Sequence, residues 1–229
     1  MESLFKLMQL EWRKLKRTSF IGEVSTYFLI MAAIPVFFIK VVHPSFGESY
    51  DMAFEFINLS TQMAYIIFAA SLINQVIIEE YKNKTITLAF SYPINRQKLF
   101  MGKILFIAAM MFAVELISFI ISGVATYAID AAFDIINGSP SAEQIYMYFM
   151  NAIFYSATTI LVGLIPMFYF GIIRRATVTT VIAGIFIMQV LNFTYILQWN
   201  DELVLSVLCL LGAVSIFLSV KMIDRVGEV

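Results

Sequence analysis

The chain has 229 residues, of which 61% are hydrophobic and 14% are charged, and its formal net charge at pH 7 is −1. Soluble globular domains carry about 25% charged residues, so this composition excludes an ordinary soluble domain and indicates an integral membrane protein. The single cysteine, Cys209, excludes a disulfide within the chain and a cysteine-based metal site.

The first predicted element is an amphipathic elbow helix over residues 3–17. Leu4, Leu7 and Trp12 recur at helical spacing, and basic residues fill positions between them. Such a helix lies in the membrane interface with its apolar face towards the lipid. The alternative is a basic flank that only fixes topology. Both interpretations place this segment on the cytoplasmic surface.

Six apolar stretches follow, each long enough for the roughly 20 residues that a helix needs to cross a bilayer. They cover residues 20–42, 56–78, 104–129, 145–173, 176–197 and 203–222. A transmembrane barrel would show short segments of alternating hydrophobicity, whereas these stretches are continuous. The sequence therefore predicts an all-α membrane protein with six transmembrane helices, forming a single transmembrane domain over residues 1–229. Pro166 predicts a kink in the fourth of them.

The basic residues predict the orientation of these helices. Lys and Arg near the ends of spans are retained on the cytoplasmic side of a membrane. With both termini cytoplasmic, every Lys and Arg except Lys40 falls on that side, and acidic residues dominate the opposite loops. The topology is thus strongly specified.

Residues 79–103 form the longest water-compatible stretch of the chain, between the second and third apolar stretches. The 79–103 segment combines an acidic start at Glu79 and Glu80, a basic end and a turn at Pro93. We expect these charges to have no nearby partner in the chain, so the segment is the part of the sequence most suited to bind another protein. We expect a short helix whose positive end favours the two carboxylates, a stop at Pro93, and a second helix capped by Asn95. The alternative is a solvated loop whose charges only hold topology.

A carboxyl group lies in the middle of the third predicted span. A charged acid at a helix centre costs about 2.5–3.5 kcal/mol on insertion scales, so Glu115 should face the interior of the bundle. It shares one helix face with three other polar residues, because residues three and four apart are neighbours on a helix. This strip consists of Glu115, Ser118, Ser122 and Thr126. It either lines a substrate path or a dimer seam, or it serves packing alone.

Motifs for catalysis are missing from the sequence. A phosphate-binding loop needs G-x-x-x-x-G-K-[ST], but Gly102-Lys103 is followed by Ile104 and has Gln97 at the position of the first glycine. His43 is the only histidine, so the H-E-x-x-H pattern of zinc proteases cannot form. The chain is therefore not expected to be an enzyme by itself or to bind a metal.

The 79–103 segment carries a pattern of a known family. An acidic residue follows the second span, Thr85 comes five residues after Glu80, then Ser91-Tyr92-Pro93-Ile94-x-Arg96-x-Lys98, and Gly102-Lys103 leads into the third span. With the six-span layout, this resembles the membrane subunit of an ABC-2 type ABC transporter. More narrowly, it is similar to the permeases of the bacitracin-export and lantibiotic-immunity group.

The resemblance implies a mechanism and partners. The 79–103 segment would be a coupling helix seated in a separate ATP-binding subunit, through the positions Glu79, Glu80, Thr85, Pro93, Arg96 and Lys98. ATP and magnesium would be bound by that partner and no cofactor by this chain. A second permease copy or paralogue and the lipid bilayer are the other expected partners, with no nucleic acid. The location would be a bacterial plasma membrane, with export or extraction of an amphipathic compound such as a peptide antibiotic, drug or lipid.

Two other classes of function are compatible with six apolar helices. A secondary carrier or channel would show internal repeats with ion ligands near the midplane, and residues 20–129 and 145–222 show no convincing repeat. A membrane immunity or accessory protein could act by binding without transport. Such a protein would not need an ATP-binding partner.

The predicted topology can be tested by labelling in intact cells. In a Cys209→Ala background, a cysteine at Ser139 should react with a membrane-impermeant thiol reagent, and a cysteine at Gln97 should not, because the basic residues hold the 79–103 segment inside. Both positions should react equally in lysed cells, which serves as the control. Reaction at Gln97 from outside would reverse the orientation.

Overall fold

A computed structural model describes residues 4–42, 47–85, 95–197 and 200–226 of the chain. Within these ranges every regular element is a helix. The helices are α1 (Leu4–Lys14), α2 (Arg17–Phe37), α3 (Tyr50–Ile73), α4 (Glu79–Lys82), α5 (Arg96–Phe133), α6 (Ala142–Gly163), α7 (Thr177–Leu197) and α8 (Asp201–Val226). Three π-helical segments, Phe38–Val42, Asn74–Ile78 and Met167–Ile173, continue or join them. The all-α prediction is confirmed for the described part of the chain.

Among the described residues, five helical stretches are long and apolar enough to cross a membrane. They are Arg17–Val42, Tyr50–Lys82, Arg96–Phe133, Ala142–Gly163 and Glu202–Ile223. A shorter apolar helix, Thr177–Val190, lies where the sequence predicts the fifth span. A sixth span at this position stays a prediction, as does the single domain over residues 1–229.

The helices extend beyond the predicted apolar stretches. The second stretch, residues 56–78, lies within a helical run over Tyr50–Lys82, and the third, 104–129, lies within α5. Hydropathy marks only the part of a helix that is apolar, whereas the helix itself extends to the points where its first N–H groups and its last C=O groups find other partners. At the start of α5 the Asn95 side chain accepts from the N–H groups of Gln97 (2.9 Å) and Lys98 (3.3 Å). The prediction of Asn95 as an N-cap is confirmed.

The predicted span over residues 145–173 is interrupted near Pro166, where α6 has ended at Gly163 and a π-helical segment begins at Met167. A proline lacks an N–H group and frees a carbonyl of the preceding turn. The Ser215 hydroxyl of α8 lies 2.9 Å from the carbonyl oxygen of Leu164 and 3.0 Å from that of Ile165. A side chain of another helix thus donates to the carbonyl groups that directly precede the proline.

The chain divides into two compact units. Unit 1 comprises residues 1–15, 65–111 and 158–229, and unit 2 comprises residues 16–64 and 112–157. In unit 1, Gly212 of α8 allows a very close approach to the backbone carbonyl of Leu161, since a Cβ there would overlap it. Unit 1 also contains the ends of the 79–103 segment and helix α1.

Unit 2 is held together by aromatic packing and by buried hydrogen bonds. The Tyr148 hydroxyl donates to the Phe119 carbonyl at 2.7 Å, and its ring stacks near Phe54 with centroids 4.6 Å apart. The Tyr50 hydroxyl donates to Asp130, whose other carboxylate oxygen accepts from the backbone N–H group of Ile136. These contacts fix the beginning of α3 against the end of α5.

Candidate functional site

Four charged side chains of unit 1 form a closed ring, which we call the charge ring. It consists of Glu11, Lys14, Glu80 and Lys103. Glu11 pairs with the Nζ atoms of Lys14 (3.0 Å) and Lys103 (2.9 Å), and Glu80 pairs with the same two atoms at 3.0 and 2.9 Å. Opposite charges alternate around the ring, so each carboxylate has two ammonium neighbours and each ammonium has two carboxylates.

Helix α1 reaches the ring because a glycine lets it approach α5. Leu7 is buried, and a Cβ atom on Gly102 would lie 2.9 Å from the Leu7 Cβ. Glu11 follows Leu7 by four residues and therefore lies on the same face of α1. Lys103 follows Gly102 directly, which brings its ammonium group to Glu11. The adjacent pair Gly102-Lys103 thus provides both the close contact and the charge.

Burial makes Lys103 the central member of the ring. Its side chain is 0% exposed, compared with 8% for Glu11, 13% for Glu80 and 49% for Lys14. The Nζ atom of Lys103 also donates to the carbonyl oxygen of Val76 at 3.1 Å. An unpaired buried charge is strongly unfavourable, and removal of one partner of a buried pair costs about 3–5 kcal/mol. The ring therefore stabilises the contact of α1 with α4 and α5 only while all four side chains are present.

Lys14 lies at the rim of the ring and remains charged there. Burial lowers the pKa of its ammonium group, but Glu11 and Glu80 raise it more, so the net pKa lies above the ordinary value of 10.5. A group with a raised pKa stabilises the folded state fully below its unfolded pKa, and this contribution is lost as the pH rises through the folded pKa. The pairing of Lys14 is thus complete at neutral pH.

The structure corrects the predicted environment of the acidic pair Glu79-Glu80. Ile78, which precedes them, already has helical dihedral angles (φ −65°, ψ −41°), so α4 continues the π-helical segment Asn74–Ile78 without a free start. The expected stabilisation by a helix N-terminus is therefore wrong. The expectation that Glu80 lacks a nearby opposite charge is also wrong, because Lys14 and Lys103 satisfy it.

A second set of contacts links α4 to the loop before α7. The Lys82 ammonium group donates to the Thr177 hydroxyl at 2.6 Å, and that hydroxyl donates to the Asn74 Oδ1 atom at 2.6 Å. The Arg175 guanidinium lies 4.4 Å from the centre of the Tyr81 ring, a cation–π distance. The loop at Arg174-Arg175, predicted as cytoplasmic, and the beginning of the 79–103 segment are thus fixed together.

The other predicted positions of the 79–103 segment lie around this joint. Glu79 is half-buried, and the exposed Thr85 donates its hydroxyl to the Glu80 carbonyl at 3.3 Å. Arg96 and Lys98 are half-buried in the first turn of α5. Pro93 lies outside the described residues. The structure therefore brings Glu80 and Thr85 together at one stem and places Arg96 and Lys98 on the other.

Glu11 was missed by the sequence analysis, and Lys103 was treated only as part of a motif and as a topological charge. One signal was available for Glu11. It occupies the position four residues after Leu7 on the apolar face of an amphipathic helix, where a carboxylate requires a buried partner. The identity of that partner was not readable, because Lys103 is 92 residues away in the sequence.

The predicted polar strip lies inside unit 2. Glu115, Ser118 and Ser122 are 0% exposed and Thr126 is 3% exposed, which confirms that they share the buried face of α5. Within the described part of the chain, the hydroxyl groups of Ser122 and Thr126 have no hydrogen-bond partner. Since the strip is covered by the chain itself, it is not available to a second copy in this conformation.

The described residues contain no arrangement suited to a metal ion. Among residues 4–42, 47–85, 95–197 and 200–226, no group of three His, Cys, Asp or Glu side chains could hold a metal ion. The charge ring contributes only two carboxylates, and both are neutralised by lysines. Its chemistry is that of a structural joint.

The helices and their apolar lengths define a multi-pass helical membrane protein. A family model described as "ABC-2 family transporter protein" matches residues 7–193, which is most of the chain. The chain therefore belongs to the ABC-2 transporter family. The resemblance stated from the sequence is confirmed at this level.

A relative from Bacillus subtilis (strain 168), the uncharacterized protein YcbO, is 30% identical over 147 residues. This match covers 64% of the present chain and 64% of the relative. No solved structure gives a significant match to the chain.

Removal of Lys103 tests the charge ring. We expect Lys103→Met to lower the free energy of unfolding by about 3–5 kcal/mol, because Glu11 and Glu80 lose their buried partner. Lys6→Met, at an exposed position of α1, removes the same charge and should leave stability near the wild-type value. Thermal unfolding of the purified protein in one detergent gives both results. Equal melting temperatures for the two variants would refute the importance of the ring.

Proposed function

We propose that this chain is the membrane-spanning permease subunit of an ATP-driven exporter. A separate ATP-binding subunit hydrolyses ATP with its own magnesium, and this chain converts the resulting motion into export or extraction of an amphipathic compound. Membership of the ABC-2 family supports this proposal, since the family implies an ATP-binding partner and a membrane setting.

The observation that carries the proposal is the charge ring. It connects α1, the end of the helical run at Glu80 and the beginning of α5 at Lys103, so it joins the elbow helix to both stems of the 79–103 segment. A loop that only maintains topology needs exposed charges and no buried ion pair. A segment that transmits force needs rigid stems, and mutually paired buried charges supply them. The ring thus favours a lever over a solvated loop.

The six predicted coupling positions take two roles in this proposal. Glu79, Thr85, Pro93, Arg96 and Lys98 contact the ATP-binding subunit. Glu80 is a positioning residue, because its carboxylate is engaged by Lys14 and Lys103. A movement of the 79–103 segment caused by the ATP-binding subunit would therefore displace α1 and α5 together.

The proposal includes the topology predicted from the basic residues. Both termini lie in the cytoplasm of a bacterial cell, α7 forms the fifth of six spans, and a second permease copy or paralogue completes the transporter in the plasma membrane. Large exposed apolar side chains on the spans support this arrangement, since Leu29, Val178 and Phe186 are each at least 70% exposed. Lipid or a second permease would cover such surfaces.

The strip of Glu115, Ser118, Ser122 and Thr126 is proposed to line the path within unit 2. Two of its hydroxyl groups lack hydrogen-bond partners within the described residues, and unsatisfied buried polar groups cost about 1–3 kcal/mol each. Packing alone would favour apolar side chains at these two positions. The unpaired hydroxyl groups therefore support a passage for polar groups.

Coupling can be tested with the ATP-binding subunit reconstituted beside this chain in lipid nanodiscs. Arg96→Glu should abolish the stimulation or restraint of the partner's ATP turnover and leave the melting temperature within about 2 °C of the wild type, because exposed or half-exposed charges contribute little to stability. Arg13→Glu reverses the same charge at an exposed position of α1 and should keep the wild-type turnover.

The same experiment discriminates among the three classes of function. Co-purification of the ATP-binding subunit with wild-type chain, and altered turnover in Arg96→Glu, is the result expected for a permease subunit. A chain that never retains an ATP-binding subunit would be a carrier or an accessory protein, and the proposed function would be wrong.

The path is tested at Glu115 with two substitutions. Glu115→Gln preserves size and hydrogen bonding, so we expect the wild-type melting temperature together with reduced ATP turnover by the complex. Glu115→Leu removes both the charge and the hydrogen-bonding capacity, and it should reduce turnover at least as much. Full turnover in a stable Leu variant would remove Glu115 from the path and leave it a packing residue.

A further inference from the structure

Unit 2 contains a cavity of about 280 Å³ between helices α3 and α6. This volume is near the lower end of the roughly 300–1,000 Å³ that small-molecule pockets occupy. The polar residues that line it are Asp51, Glu55 and Asn58 of α3 and Gln144 and Asn151 of α6. Neither the charge ring nor the strip at Glu115 contributes to this cavity.

The polar side of the cavity consists mainly of hydrogen-bond acceptors. Asp51, Glu55 and Asn58 are spaced by four and three residues, so they follow one face of α3. The first two are exposed at the rim, whereas Asn58 is only 3% exposed. No Lys or Arg is among the residues that line the cavity. The site therefore carries two negative charges with no positive charge on its wall.

Asn58 supplies the observation that points to a ligand. Its Oδ1 atom is buried and has no hydrogen-bond partner in the part of the chain that the structure describes. An acceptor left unsatisfied in the interior costs about 1–3 kcal/mol. A donor group of a bound molecule would remove this cost, and it would pass the carboxylates of Asp51 and Glu55 on its way to Asn58.

Gln144 holds the entrance of the cavity in place. The Ser141 hydroxyl accepts from the Gln144 N–H group at 3.1 Å, and the Gln144 Oε1 atom accepts from the Ser141 N–H group at 2.9 Å. This is a capping box at the start of α6. The remaining Nε2 group of Gln144 donates to Asp51 at 2.8 Å. The cap of one helix thus orients the carboxylate of the other.

The rest of the wall is apolar and aromatic. Phe54, Met147, Tyr148 and Tyr155 complete the lining, and the rings of Phe54 and Tyr148 have centroids 4.6 Å apart. Aromatic faces attract cations and also cover alkyl chains. The described residues offer no group of three acidic or other ligating side chains for a metal ion. The lining suits an organic cation with an apolar tail.

We propose that this cavity binds the primary ammonium group of a cationic amphiphile. The N–H groups of the ammonium would donate to Asn58, Asp51 and Glu55, and the tail would lie against Phe54 and Tyr155. The inference deepens the proposed function by naming a substrate class, and it rests on that function only where the bound compound is taken to be transported. An amine lipid and a free amphiphilic amine share this chemistry.

Binding is tested by calorimetry on the purified full-length chain in phosphatidylcholine nanodiscs, with empty nanodiscs as the baseline. Hexylammonium should bind at least tenfold more tightly than hexyltrimethylammonium, which has the same charge but no N–H donor, and hexanoate should not bind. Equal affinities for the two cations, or no binding of hexylammonium above the baseline, would overturn the proposal.

Substitutions locate the site. Asn58→Leu removes the buried acceptor at similar volume and should weaken hexylammonium binding at least tenfold, whereas Asn58→Asp keeps an acceptor and should bind at least as tightly as the wild type. Glu55→Gln should weaken binding. Glu143→Gln should not, because Glu143 precedes Gln144 in α6 but does not line the cavity. If Asn58→Leu fails to fold, the other three variants decide. Binding unaffected by Glu55→Gln, or weakened equally by Glu143→Gln, would overturn the assignment.

Two further measurements distinguish an amine lipid from a free amine as the ligand, and ligand binding from transport. Addition of phosphatidylethanolamine to the nanodiscs should weaken hexylammonium binding if the natural ligand is an amine lipid, and unchanged binding would assign a free amine; both outcomes support the ammonium site. Hexylammonium binding by a chain that retains no ATP-binding subunit would leave the cavity intact and refute the transport role.

Discussion

The proposed coupling mechanism depends on one constraint, which is that the buried ammonium group of Lys103 must be paired. A lysine with no exposed surface must find its partners in the protein, and here it finds two carboxylates and a backbone carbonyl. Those partners belong to α1 and to the helical run before the 79–103 segment. The requirement to satisfy one charge therefore determines where three separate elements meet, and Gly102 removes the side chain that would keep α1 away.

Some buried polar groups of this chain have their hydrogen-bond partners within the chain, and others have none among the described residues. The charge ring and the contact of Ser215 with the carbonyl groups beside Pro166 are complete within the chain, so they stabilise fixed arrangements. The Oδ1 atom of Asn58 and the hydroxyl groups of Ser122 and Thr126 lack partners in the described residues. An unpaired buried group of this kind is costly to keep. These three lie in unit 2, where the cavity and the proposed path are located, and the two proposals give each of them a ligand-binding role.

The sequence predicted the features that depend on local patterns. Apolar stretches located the helices, spacing placed Glu115 and Ser118 on one face, and Asn95 was recognised as a cap. It did not predict the setting of Glu80, because the partner lysine on α1 is 66 residues away. In the sequence, a carboxylate next to a loop cannot be distinguished from a solvent-exposed one. Only the packing of α1 shows that Glu80 is paired. The sequence also did not predict that the helix continues through Ile78 into α4. The apolar stretch ends at that residue, but the helical backbone does not.

The order of the ring members along the chain has a consequence for biosynthesis. Glu11, Lys14 and Glu80 all precede Lys103, and chains fold from the N-terminus as they leave the ribosome, at about 5–20 residues per second. When α5 is synthesised, the carboxylates that its lysine requires have therefore already been made. The ring can close as soon as Lys103 reaches them, because no later part of the chain is needed. Helix α1 is thus complete several seconds before the helix whose lysine it pairs.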